Sequence, residues 1–297
     1  MSLPDLYQKE GMFLYALLDG AQTEEIARKV IELELEQPVM LLFGGTPLED
    51  LLPVSPLLVR VTTPSALAPV LETEQTQNAT MLIQSPHDFD TVFDYWQNRL
   101  FAAMPYGEEP VIFRLYDPLI FSAFQTTDRG IEKSALFGPC ETVWCRDRVS
   151  GQWMSYHPEF QVDKDIWSDE ALLPLTETHL EVLTDTKISQ VRLHLNRHIQ
   201  QYFPDLCSNA GEAQQFTQAL YNKSMAYGFQ DSQSMFYFVN IWCYLGSACI
   251  DDTQFPEIAR LLTQPGAQTP QQRIQTAAHQ LGDYPQNRTH CAADYLS

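Results

Sequence analysis

Hydrophobic residues change their spacing once along this chain, near residue 160, and that change limits the fold to two unlike parts. Before it, short apolar runs alternate with amphipathic helical segments. Tyr15–Leu18, Val39–Phe43, Leu57–Val61, Thr80–Gln84 and Val111–Tyr116 read as strands, and Gln152–Tyr156 pairs with Thr142–Cys145 as a hairpin around Ser150-Gly151. Thr23, with Glu24 and Glu25 in the following turn, suits a helix start, and Ile26, Val30 and Leu33 line one face. Ser85-Pro86-His87-Asp88 predicts a second start, with Ser85 as cap, and Phe89, Val92, Phe93, Trp96 and Leu100 follow at helical spacing. Strands alternating with helices predict an α/β lobe with flanking helices and a mixed, partly parallel sheet.

Beyond the change only helical periods remain. Residues 161–175 are polar and read as a linker between an α/β domain over 1–160 and an all-α lobe over 176–297. Ile188, Val191, Leu195 and Ile199 mark one helix that Pro204 stops; further helices are expected near 216–228, 232–250, 255–262 and 271–281. The most apolar of these carries Phe236, Tyr237, Phe238, Trp242 and Tyr244. A 3.6-residue period cannot aim all five at one side, so Phe236, Phe238, Trp242 and Tyr244 are candidate partner-binding residues.

Composition narrows the function. There are 38 acidic against 18 basic residues, a net charge of -20. The excess is spread along the chain, with -12 over residues 1–150 and -8 over 151–297. Nucleic-acid binding needs a basic face to meet phosphates, and anionic membranes repel the same surface. The apolar run Met235–Ile250 is shorter than the ~20 residues of a membrane span, so no stable membrane insertion is expected. The start Met1-Ser2-Leu3-Pro4-Asp5 carries no basic stretch followed by an apolar run, which points to the cytoplasm. Six cysteines, none two residues from another, form neither a zinc nor a redox motif and read as reduced thiols.

Chemistry-bearing patterns are sparse. His194 and His198 share a helix face, but Leu195 stands where a metalloprotease helix carries its Glu. Gly44-Gly45-Thr46 lacks the ending of a phosphate loop, and no nucleophile elbow is present. Cys140 and a distant His are a pairing that any chain with several of each would offer. Asp19 at the end of the first strand and Arg114, Tyr116 and Asp117 at the end of the fifth are placed where α/β sites form. An ion pair there would lock the sheet to the next segment, and Asp117-Pro118 suits a helix cap and first helical position. No cofactor and no metal is expected.

Four blocks in order resemble a known family. Tyr15-Ala-Leu-Leu-Asp19-Gly20-Ala21, Leu42-Phe-Gly-Gly-Thr46 with Pro56-Leu-Leu-Val59, Phe113-Arg114-Leu115-Tyr116-Asp117-Pro118, and Gly138-Pro139 before Trp144 resemble the type VI secretion adaptor-chaperones over about residues 12–147. Tyr227-Gly228-Phe229 is similar to the tail of longer members. The resemblance implies a non-enzymatic bacterial adaptor that binds a secreted effector near its N-terminal region, keeps it soluble and delivers it to the C-terminal end of the VgrG spike. Leu119 stands where that family often has Arg, so no contact of that Arg carries over. An immunity protein that neutralises a toxin, or a hydrolase using Asp19 and Asp117, are the competing expectations.

Overall fold

The computed structural model describes residues 10–22, 26–32, 38–61, 68–107, 109–128, 130–160, 167, 172–251 and 253–281. The expected cap at Thr23 to Glu25, Leu33, most of the expected linker and Cys291 lie outside the described residues. The chain divides into two compact units, residues 1–186 and 187–297.

The first unit is built on a six-stranded sheet. Its strands are β1 (Phe13–Leu18), β2 (Val39–Leu41), β3 (Leu57–Val61), β4 (Thr80–Ser85), β7 (Thr142–Arg146) and β8 (Trp153–Tyr156), in the order β2-β3-β1-β4-β7-β8. Every pairing in it is antiparallel, which corrects the expected partly parallel sheet. The reason is topological. After helix α1 (Ile26–Glu32) the chain does return in the direction of β1, but β3 lies between β1 and β2 and pairs antiparallel with both. The only parallel ladder among the described residues is in a second, three-stranded sheet. There β5 (Phe101–Ala103) pairs antiparallel with β6 (Val111–Ile112) and parallel with β9 (Leu173–Pro174).

That small sheet also corrects the fifth strand. Only Val111–Ile112 is extended, and it belongs to the small sheet. Phe113 N–H still donates to Leu100 O at 2.8 Å, and Asp117 N–H donates to Arg114 O at 2.9 Å to make a turn. Phe113, Leu115 and Tyr116 are all buried, because this segment crosses the core instead of lying on a sheet.

One row of side chains runs across all six strands: Met40, Leu58, Leu17, Met81, Cys145 and Met154. The four interior members are buried and the two edge methionines are exposed. On this face the sheet packs against α3 (Phe89–Asn98) and α4 (Pro118–Thr127), with Phe93, Trp96, Phe121 and Phe124 in the core. On the other, Ile26 and Val30 of α1 cover Ala16, Leu18 and Val59. Cover on both sides explains why antiparallel strands read as nearly continuous apolar runs. Two further helices described in this unit are α2 (Glu74–Asn78) and α5 (Gly130–Ala135).

Helix α3 is capped by Asp88, whose carboxylate accepts from Thr91 N–H at 3.0 Å. The expected cap, Ser85, ends β4 instead. It donates to Pro139 O at 2.5 Å and accepts from His87 N–H at 3.1 Å, so its hydroxyl is already committed. Leu100 is buried beyond the helix end, just before β5.

Helix α6 (Glu177–Tyr202) begins in the first unit and ends in the second. At its start, Thr176 N–H donates to His179 Nδ1 at 3.1 Å and His179 N–H donates to Thr176 Oγ1 at 3.2 Å. This is a capping box in which histidine takes the glutamate's place. Because Nδ1 accepts, Nε2 carries the proton and faces Asp128 Oδ1 at 2.6 Å, at the end of α4.

The second unit is helical, as the sequence implies. It contains the end of α6, α7 (Ala210–Ala226), α8 (Ser232–Leu245), α9 (Pro256–Thr263) and α10 (Pro270–Leu281). Asn209 and Asp231 cap α7 and α8 through their side chains. Leu195, Ile199, Phe216, Leu220, Phe238, Trp242, Leu262 and Ile274 form its core. Buried Arg273 donates to Leu261 O at 2.8 Å and Gln264 O at 3.0 Å, closing the end of α9 while its guanidinium lies over the Phe229 ring.

Gly138 explains one block of the sequence. Its φ is +53°, and a Cβ there would sit 2.3 Å from the Tyr95 ring. Tyr95 cannot retreat, because its hydroxyl donates to Ala135 O at 2.9 Å and Leu136 O at 2.8 Å. Gly138→Ala is expected to cost about 2–4 kcal/mol in urea unfolding, from left-handed strain plus overpacking. Gly45→Ala, at φ +69° with nothing within 4 Å, should show the strain alone, about 1 kcal/mol. Equal losses would mean that the Tyr95 contact does not matter.

Candidate functional site

The residues singled out by sequence meet at one end of the large sheet. Strand β1 is apolar through Leu18, and Asp19 follows, its N–H continuing the ladder to Ala79 O at 2.8 Å. The Asp19 side chain is fully buried, and both its oxygens are occupied. Oδ1 accepts from Ala21 N–H at 3.0 Å, and Oδ2 accepts from Gln22 Nε2 at 2.8 Å and from Arg114.

Arg114 lies in the turn before α4. Its guanidinium also faces Asp117 Oδ2 at 3.6 Å and sits near the Tyr116 ring. Asp117 caps α4, accepting from Leu119 N–H at 3.0 Å, with Pro118 at the first helical position. Its other charged neighbour is Arg148, 3.6 Å away. Arg148 in turn donates to Gln22 Oε1 at 2.9 Å. Arg146, two residues earlier at the end of β7, donates to Asn78 Oδ1 at 2.8 Å and Glu74 Oε1 at 3.3 Å. Three guanidinium groups therefore meet three carboxylates, those of Asp19, Asp117 and Glu74. The cluster ties together the ends of β1 and β7, helix α2 and the start of α4.

Burial shapes the titration here. It pushes the Asp117 carboxyl above its ordinary range, against the Leu119 hydrogen bond and Arg148. Burial, then the nearby Asp19 carboxylate, pushes the Tyr116 phenol well above its own. Such shifts mark catalytic groups and ion networks alike.

Sequence reasoning named Asp19, Arg114, Tyr116, Asp117 and Pro118, and the fold brings all five together. It missed Gln22, Glu74, Asn78, Arg146 and Arg148. Two arginines bracketing Asp147 directly after an apolar strand, in a chain poor in basic residues, were the available signal.

The other candidates fall elsewhere. Phe238 and Trp242 are buried in the helical core, where the bundle itself contacts them, and Phe236 and Tyr244 are half-buried. His198 Nε2 lies 2.6 Å from Asn240 Oδ1, with its ring against Phe236 and Tyr202, while His194 is exposed. Among the described residues, no group of three or more His, Cys, Asp or Glu could hold a metal ion. Cys140 and His87 line a pocket of about 240 Å³ with Pro139, Phe160 and Trp167. Burial raises the Cys140 thiol far above its usual range, so it is not the thiolate that nucleophilic chemistry requires. No described helix is long and apolar enough to cross a membrane.

Part of this unit matches a known family: residues 14–130, which include β1 to β4 but not β7, β8, Arg146 or Arg148, match the family model described as "Domain of unknown function (DUF4123)". The match contains Asp19 and the whole Arg114–Pro118 run. The likeness to a curated relative extends further. "Accessory protein VasW" of Vibrio cholerae serotype O1 is 24% identical over 276 residues, 93% of this chain and 90% of that protein. These findings bear out the resemblance to the type VI secretion adaptor family drawn from the sequence blocks. No solved structure matches the chain.

Removing Arg114 would leave a buried carboxylate short of its cation. A fully buried pair loses about 3–5 kcal/mol in this way. The Arg114 side chain keeps 37% exposure, so about 2–4 kcal/mol is expected for Arg114→Ala. Arg114→Lys should recover part of that, since Nη2 alone faces both Asp19 and Asp117 and an ammonium can restore that charge, while the planar contact with the Tyr116 ring is lost. Thermal melts of the three proteins check this; an Arg114→Ala variant that melts like wild type would place the residue in an interface instead.

Proposed function

We propose that this chain is an adaptor-chaperone of a type VI secretion system. It binds an effector protein, near that effector's N-terminal region, keeps it soluble in the bacterial cytoplasm, and passes it to the C-terminal end of the VgrG spike. The role is one of holding, without catalysis. What carries the reading is the length of the likeness to VasW: the similarity runs through the sheet unit and on through the helical unit, well beyond the family model's own span. The charged junction supports it. Its arginines and carboxylates balance one another, as suits a rigid frame. The net charge of -20 would speed encounter with a basic partner segment more than it would tighten the final complex.

The experiment is genetic and biochemical together. The chain, tagged and co-expressed with the effector encoded beside its gene, should copurify with it in a fixed ratio. Deleting the gene should abolish secretion of that effector and leave other effectors at wild-type levels. Normal secretion of every effector from the deletion strain would overturn the proposal. Capture of only the toxic domain would favour an immunity protein.

A further inference from the structure

The two edges of the six-stranded sheet are not alike. Strand β2 has three residues, follows Pro38, and runs into the Gly44-Gly45 turn. It is blunted in the usual ways, by shortness and proline. Strand β8, Trp153-Met154-Ser155-Tyr156, contains no lysine, no proline and no charge, and among the described residues no strand lies against its outer side.

Its register states which groups it offers. In the β7–β8 hairpin Asp147 N–H donates to Gln152 O at 2.8 Å, and Gly151 N–H donates to Asp147 O at 2.8 Å. Gly151 has φ +71°, so this is a bulge with glycine in the left-handed position. Antiparallel pairs alternate between bonded and non-bonded. Counting from Asp147 and Gln152, the pair Cys145–Met154 is bonded, while Arg146–Trp153 and Trp144–Ser155 are not. The backbone N–H and C=O of Trp153 and Ser155 therefore point away from β7, to the side on which no described strand pairs with β8.

The turn holds that register firmly. Ser150 donates to the Asp147 carboxylate through its backbone N–H at 2.7 Å and its hydroxyl at 2.5 Å. Burial acts to raise the Asp147 carboxyl, but these bonds outweigh it and keep the group below its ordinary range. Side chains flank the edge on both faces. Met154 is 46% exposed on one; Trp144 and Trp153 are partly buried on the other.

We infer that the open edge of β8 receives an extended segment of the partner protein by strand addition, the segment bearing apolar residues at alternate positions and basic residues at its flanks. This rests on the proposed reading of the chain as a holder of another protein. Main-chain bonds to Trp153 and Ser155 supply the attachment, and Met154 and the two tryptophans select alternate side chains. Charge decides between occupants. A second copy would bring another -20 against this one, whereas a basic segment is attracted.

Ser155→Pro tests the edge. It deletes an N–H that the β7–β8 ladder does not use, at a place where an edge strand tolerates proline. The probe is a fluorescent decapeptide of alternating valine and threonine with two lysines at each end. The full chain is expected to bind it saturably, to bind a glutamate-flanked version far more weakly, and to lose about tenfold affinity in Ser155→Pro, equivalent to about 1.4 kcal/mol. Ser155→Ala, which keeps the N–H, should bind like wild type. Equal binding by Ser155→Pro, or no binding by wild type, would overturn the inference. So would a wild-type dimer that Ser155→Pro renders monomeric, since a second copy would then occupy the edge. Should Ser155→Pro unfold, amide exchange of the wild-type chain decides: slowing at residues 153–156 on adding the peptide supports strand addition, and no slowing overturns it. Copurification of the neighbouring effector separates the two proposals. An effector held equally by wild type and Ser155→Pro sinks the edge and leaves the adaptor reading standing. An effector held by neither sinks the adaptor reading.

Discussion

A single buried carboxylate, that of Asp19, organises the sheet unit. It lies where the first strand leaves the core, and it accepts from Ala21, Gln22 and Arg114 at once. Those partners lead to different pieces of structure. Ala21 and Gln22 turn the chain out of β1. Arg114 belongs to the turn that starts α4, and Gln22 also receives Arg148 from beyond β7. A buried charge is tolerated only when such partners are held in place. Satisfying Asp19 therefore fixes where three separated stretches of sequence end up.

The same end of the sheet shows why a chain with a large acidic excess can spend three arginines in one place. Arg114, Arg146 and Arg148 together face Asp19, Asp117 and Glu74, so the cluster adds no net charge. The rest of the excess is left for the surface. Its field acts at a distance and is screened by salt, so it bears on encounter and solubility, while the junction bears on shape.

Local features of the sequence were readable where a residue's role depends on its immediate neighbours. The apolar runs of β1, β3, β4 and β7 stand as strands, Asp117-Pro118 begins a helix, and the helical periods after residue 187 form a bundle. Features set by distant contacts were not. Val111–Tyr116 looks like a strand because its residues are mostly apolar, yet Phe43 packs on Tyr116 and Phe124 on Phe113, and the core buries Phe113, Leu115 and Tyr116 in a crossing segment. Ser85 looks like a cap, but Pro139, 54 residues away, takes its hydroxyl. The antiparallel sheet was hidden for the same reason. Alternation of strand and helix fixes the direction in which the chain returns, and says nothing about β3 slipping between β1 and β2. At the junction, Asp19 and the Arg114–Pro118 run were legible because they are strand-end and cap residues. Arg146 and Arg148 left a sequence signal in their spacing about Asp147, but their partners followed only from the placement of β7 beside β4.

The aromatic helix of the second unit follows the same logic in reverse. Five aromatics on α8 cannot share one face, and the inference that some meet a partner assumed that one face is all a bundle can cover. Here α6, α7 and α10 pack around α8, so Phe238 and Trp242 are buried by the bundle, and Phe236 and Tyr244 rest against His198 and Phe203. A central helix is apolar around most of its circumference for structural reasons alone. Two of the apolar residues that reach solvent, Met40 and Met154, sit at the two ends of one side-chain row across the sheet, where the described strands run out of neighbours. At these two positions exposure marks where strand pairing stops, and this is why the strand-addition proposal follows the sheet to its edge and does not start from the most aromatic segment.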